Sequence, residues 1–164
     1  MSVIRVCTEP GRLNDGVRGD LAEALTAATL AVEVGADTDA VRPGIMVLFD
    51  EMPKDRWAVG GKFDDTYSAP GGRILITLDA MEGVWTEARR KDLIERYSQA
   101  AANAVGSDTP IASCWVIIRE IRDGSWGAMG TAVKIENFLP LGFTEDRAAD
   151  ARRTITKRSQ GEPK

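Results

Sequence analysis

LFDEMPKDRWAVGG, residues 48–61, lies over IIREIRDGSWGAMG, residues 117–130, and this pairing decides the fold. In both stretches a glutamate is followed six residues later by tryptophan and four after that by glycine: Glu51, Trp57 and Gly61, then Glu120, Trp126 and Gly130. The offset is 69 residues at all three positions. Upstream, LAEALT from Leu21 lies over LIERYS from Leu93 at an offset of 72, pairing Glu23 with Glu95 and Thr26 with Ser98. Two matches in the same order, separated by a small insertion, read as an internal repeat. The extra residues of the first half fall around ADTDAVRPG, where Pro43 and Gly44 signal a loop.

Each half then reads as strand, helix, strand. Val3–Cys7 is a short β-rich run, Pro10 and Gly11 break it, and Asn14 or Asp15 can cap a helix. Leu21, Leu25, Ala28 and Val32 recur at steps of three and four, which predicts one apolar helical face over roughly residues 15–34. Gly35 ends that helix, and Ile45–Phe49 is an apolar strand. In the second half Ile74–Leu78 is the strand, Thr86 the cap, Leu93, Tyr97, Ala101 and Ala104 the stripe, and Trp115–Ile118 the closing strand. A helix of that length between two apolar strands implies parallel pairing with a right-handed crossover. The expected class is α+β: a tandem β-α-β repeat with a four-stranded, mainly parallel core sheet and two helices on one face. Strands this apolar are usually covered on both sides, and two helices cover one, so the other face calls for a homo-oligomer.

One domain is expected over residues 1–142, with unit one at 1–66 and unit two at 72–135, and a charged tail at 143–164. The tail, TEDRAADARRTITKRSQGEPK after Phe143, is poor in large apolar residues and reads as solvated or as a surface helix. A net charge of −4 argues against a general nucleic-acid binder, since phosphate neutralisation needs a basic face. The start of the chain carries Arg5 and Glu9 and has no apolar run of signal-peptide length, and no stretch reads as a membrane span, so the cytoplasm is expected. Cys7 and Cys114 belong to no Cys-x-x-Cys pair and read as buried thiols. The chain has no histidine, which removes histidine triads, histidine-ligated metals and imidazole acid–base chemistry together. Neither a metal cluster nor a phosphate-binding glycine loop is present in the sequence, so no cofactor is expected. An enzyme of this composition would take its base from a carboxylate, a lysine, a tyrosine or the α-amino group.

An apolar strand ending in Glu-Met-Pro, followed by an aromatic before Gly-Gly and preceded by a helix with arginine near its start, resembles 4-oxalocrotonate tautomerase. The fused two-unit arrangement resembles cis-3-chloroacrylic acid dehalogenase and malonate semialdehyde decarboxylase of the same tautomerase superfamily, over roughly residues 2–132. The resemblance implies a homotrimer acting on a small molecule, with sites that open where the first strand begins, next to residues of a neighbouring unit. It implies isomerase or lyase chemistry on oxo or enol acids, with an amino-terminal proline as base or acid and arginines binding substrate carboxylates. Ser2 stands at the proline position, Arg12 at that of a family arginine, Thr29 where the dehalogenase has a functional histidine, and Trp57 and Trp126 at that of a pocket aromatic. Met81 and Val84 stand where the dehalogenase has its carboxylate-binding arginines.

Removal of Met1 would leave the α-amine of Ser2, a group with a reference pKa of about 7.7–8.0, as the catalytic candidate. Arg12, Thr29, Trp57 and Trp126 are the substrate-binding candidates. Glu51 and Glu120 end their strands and suit a structural hydrogen-bonding role. A catalytically silent or repurposed trimer, or an isomerase or cyclase for a non-carboxylate substrate, is the alternative reading.

Overall fold

The computed structural model describes residues 1–160. Strand β1 (Ser2–Thr8) leads through a turn to helix α1 (Asp15–Glu33), and β2 (Ile45–Glu51) closes the first unit. The second unit repeats this order with β3 (Ile74–Met81), α2 (Glu87–Ala104) and β4 (Cys114–Ile121). A hairpin of β5 (Trp126–Ala128) and β6 (Thr131–Val133) follows, and after two 3-10 turns the chain ends in α3 (Glu145–Ser159).

The helices begin where the sequence places their caps. Asn14 accepts from the Val17 amide and Thr86 from the Arg89 amide, each satisfying one of the first-turn N–H groups that a helix leaves without a partner. Each β-α-β unit is parallel, Ser2 lying beside Ile45 and Ile74 beside Cys114. Those registers carry the sequence offsets of 72 and 69 into space. Between the units β1 and β3 run antiparallel, giving the order β2-β1-β3-β4. The sheet is therefore two parallel pairs joined by one antiparallel seam, with a local two-fold relation between its halves.

Alternation sorts the side chains. Ile4 and Val6 of β1 and Ile74, Ile76 and Leu78 of β3 are fully buried under α1 and α2, packed with Leu25, Leu93, Tyr97 and Ala101. The intervening residues form the opposite face, where Met46, Trp115 and Ile117 remain exposed. Both helices lie on the one side, and the bare apolar side anticipated from the strands is present.

Of the two readings of the tail, a solvated segment or a surface helix, the described residues take the helical one, with part of the helix buried. From Glu145 they form α3, with Ala148 and Ala151 buried in the core; residues 161–164 lie outside the described part. The cause is a defect elsewhere. Helix α1 has no basic residue in its last turn, and its final carbonyls need donors. Thr144 donates to the Val34 carbonyl through both its amide and its hydroxyl, and Arg147 donates to that of Val32. Arg147 also brings positive charge to the negative end of the helix dipole. Across the interface, Arg89 of α2 pairs with Asp150 at 2.7 Å.

Candidate functional site

The antiparallel seam places the start of β1 beside the end of β3 and, through β4, beside the second hairpin. A groove of about 560 Å³ opens there, walled by Met1, Ser2, Arg5, Met46, Asp79 and Trp126. Ser2 and Trp126 therefore come together within one chain, 124 positions apart in sequence. Val3 and Arg5 point to the groove side of the sheet, whereas the Ser2 side chain is buried beneath it and points to the helices.

Beneath the sheet Ser2 meets a residue that the sequence reading missed. Its hydroxyl donates to Oε2 of Glu33 at 2.7 Å, and the Met1 amine lies 3.6 Å from Oε1. Glu33 is only 1% exposed, and among the described residues its Oε1 is the buried side-chain oxygen left without a hydrogen bond. A carboxylate here is costly three times over: it is desolvated, it stands at the negative end of α1, and one oxygen lacks a donor. The available signal was a lone acid beside the apolar stripe, one turn beyond Thr29.

The remaining candidates lie elsewhere. Thr29 is buried between the helices, donating to the Leu25 carbonyl and sharing a hydrogen bond with the Tyr97 hydroxyl. Burial raises the Tyr97 phenol pKa; the Thr29 hydrogen bond opposes that rise and the Glu33 charge adds to it. Arg12 is exposed in the loop after β1, at the far end of the strand from Ser2, with its guanidinium over Gly72. Trp57 is half-buried at that same far end, following a 3-10 turn after β2. Within one chain, neither reaches Ser2. Met81 and Val84 are core residues. Glu51 accepts from the Gly11 amide and Glu120 pairs with Arg90, both structural contacts.

The local two-fold relation predicts a second site at the start of β3, where Arg73 takes the place of Met1. That place is filled by protein. Arg73 is fully buried, paired with Glu9 at 3.0 Å, and donates to Ser68 and to the carbonyls of Phe63 and Asp64. One end of the tandem repeat is plugged by its own linker, and the other is open.

Among the described residues no group of three His, Cys, Asp or Glu is placed to hold a metal ion. No helix among them is long and apolar enough to cross a membrane.

Comparison with known proteins agrees with this geometry. Residues 75–135 match the tautomerase enzyme family model. A native fused 4-OT superposes with a TM-score of 0.64 at 25% identity, covering 79% of this chain and 94% of the other. A member of the cis-3-chloroacrylic acid dehalogenase family gives 0.64 at 20% identity, covering 80% and 82%. FG41 malonate semialdehyde decarboxylase inhibited by 3-bromopropiolate gives 0.60 at 14% identity, covering 79% and 92%. No curated protein matches the sequence. The fold and the open end of the sheet are those of a tautomerase-type protein. The family match falls on the second unit, and the fold of the chain is similar to that of the fused two-unit tautomerases, with Ser2 at the head of its first strand.

Proposed function

We propose that the protein transfers protons on a small oxo or enol compound at the head of β1, with the α-amine of Ser2 in place of the superfamily's proline. The observation that carries this reading is that Ser2, which shares the groove wall with Trp126, is held from behind by the buried Glu33. Removal of Met1 makes the chain's amine that of Ser2, the residue whose hydroxyl donates to the buried Glu33 carboxylate. The amine then serves as both acid and base: as the ammonium it gives a proton to one end of the oxo–enol system, as the free amine it takes the proton released from the other end, and Glu33 holds Ser2 in position through the Ser2 hydroxyl.

The assembly proposed is a homotrimer. Fused 4-OT proteins of this fold form trimers, and the bare face of the sheet here needs a cover. In such an assembly Arg12 and Trp57, stranded at the far end of their own sheet, reach an open site only from a neighbouring chain. Arg5 is the cationic side chain at the groove among the described residues, and it already faces Asp50 at 3.9 Å. That scarcity of free positive charge favours a substrate with at most one carboxylate, or none.

Intact mass and ultraviolet assays with phenylenolpyruvate and 2-hydroxymuconate test the reading. The mature chain is expected to begin at Ser2, and Glu33→Gln to lower turnover at least tenfold with its fold intact. Quantitative retention of Met1, or a Glu33→Gln variant as active as the parent, would overturn it.

A further inference from the structure

Behind the groove lies a second cavity, of about 210 Å³, which shares Met1, Pro43 and Gly44 with it. Its other walls are Leu30 and Val34 of α1, Val41 and Ile45 before and at β2, and Phe138 and Phe143 of the C-terminal segment. The one charged side chain in this lining is Glu33. Ser2 holds one Glu33 oxygen, and the other accepts no hydrogen bond. The cavity thus presents an apolar enclosure with a buried acceptor, Oε1 of Glu33, which takes no hydrogen bond and whose ion-pair partner is the Met1 amine at 3.6 Å.

Two further observations mark it as a built pocket. Phe138 and Phe143 lie beyond residues 75–135, the stretch matching the tautomerase family, so the segment that docks α3 also closes this wall. The connection carrying Val41 is fixed as well. Arg42 makes paired hydrogen bonds to both oxygens of Glu23, at 2.9 and 2.7 Å, and to both of Asp37, at 2.8 Å. Such fork-to-fork contacts hold geometry as well as charge.

We infer that this cavity takes the uncharged apolar body of a single-ring compound whose O–H or N–H group donates to the free oxygen of Glu33. An apolar protein cavity of roughly 150 Å³ admits benzene, so this volume suits one ring with a short polar arm. A carboxylate on that arm would meet Glu33 in a desolvated wall and be repelled. The inference rests on the proposed reaction only in naming the bound compound a substrate; the binding stands without it.

The test uses the purified full chain, ligand-detected NMR and calorimetry, with benzyl alcohol, benzylamine and benzoate as probes. Benzyl alcohol and benzylamine are expected to bind, with benzoate at least tenfold weaker. Glu33→Gln is expected to weaken benzylamine at least tenfold and benzyl alcohol less, because the amide still offers an acceptor. Ala40→Trp, at an exposed rim position, fills the mouth without disturbing the core and is expected to abolish binding of all three. Its circular dichroism spectrum checks the fold, and it decides the matter even if Glu33→Gln misfolds. Binding that survives Ala40→Trp, benzoate affinity equal to that of the alcohol, or no binding by any probe would overturn the inference. A chain that binds benzyl alcohol yet turns over neither enol substrate loses the reaction and keeps the pocket. One that is active yet binds no probe loses the pocket and keeps the reaction.

Discussion

Thr29 and Tyr97 meet between α1 and α2, where neither hydroxyl has water as an alternative. Replacing Thr29 with valine keeps the shape and strands the phenol, which costs about 1–3 kcal/mol. Tyr97→Phe restores the match, so the double variant is expected to be less destabilised than the sum of the singles, read from urea denaturation. A second prediction concerns Cys114, whose thiol pKa burial raises from the usual 9.0 to about 11. Between these values the unfolded chain loses a proton that the folded chain keeps. Stability therefore holds below pH 9 and declines as pH rises toward 11. Melting temperatures of the wild type and Cys114→Ala, compared at pH 7.5 and 10.5, are expected to show a shallower alkaline decline in the variant. At this scale the sequence was only partly legible. Ser2 and Trp126 were singled out and do share a wall, but the alternation of β1 turns the Ser2 hydroxyl away from the groove toward Glu33. The local signal at Glu33, an acid beside the apolar stripe, is too weak to separate it from an exposed helix-end acid, because its burial depends on β1 and on residues more than a hundred positions away.

At the level of elements, strong periodicity and caps were enough. Both main helices start at Asn14 and Thr86, as their sequences indicate, and each strand of the four-stranded sheet was recognised, though shorter than it is. Helix α3 was harder to read because its buried face consists of alanines, Ala148 and Ala151, and its docking depends on orphan carbonyls of α1. Two helix-ending glycines test that docking. Gly35 after α1 and Gly106 after α2 both have positive φ, +82° and +73°. A Cβ at Gly106 meets nothing within 4 Å, whereas one at Gly35 falls 2.4 Å from the Thr144 hydroxyl oxygen. Gly106→Ala is expected to cost the backbone strain alone, about 1 kcal/mol. Gly35→Ala is expected to cost at least about 1 kcal/mol more, because Thr144 must release the Val34 carbonyl. Equal losses in the two variants, measured by chemical denaturation, would mean that the Thr144 cap contributes little.

For the whole molecule, the repeat made the two units legible, and the bare sheet face followed from counting helices against apolar strands. The antiparallel seam did not follow, because each β-α-β unit satisfies its own hydrogen bonds whichever way its neighbour runs. That seam decides the function: it sets Trp126 of the second unit over the head of the first, and it leaves the related end to be filled by Arg73. It also aligns the exposed side chains into one patch. Across the register, Ile117 lies beside Thr77 and Trp115 beside Leu75, with Met46 opposite Val3 on the other flank. Ion pairs from Arg5 to Asp50 and from Arg119 to Asp79 are interspersed on the same face. Ile117, 45% exposed and in a strand already complete in backbone pairing with β3, can be changed with little effect on the core beneath. Ile117→Lys is therefore expected to leave each chain folded while setting three ammonium groups against one another in a closed trimer. Light scattering on size-exclusion eluates should give three times the 17.8 kDa chain mass for the wild type and the single-chain mass for the variant. A wild type that elutes as a monomer would remove the assembly and leave Arg12 and Trp57 outside any site, and a variant that stays trimeric with an unchanged melting temperature would place the assembly on another surface.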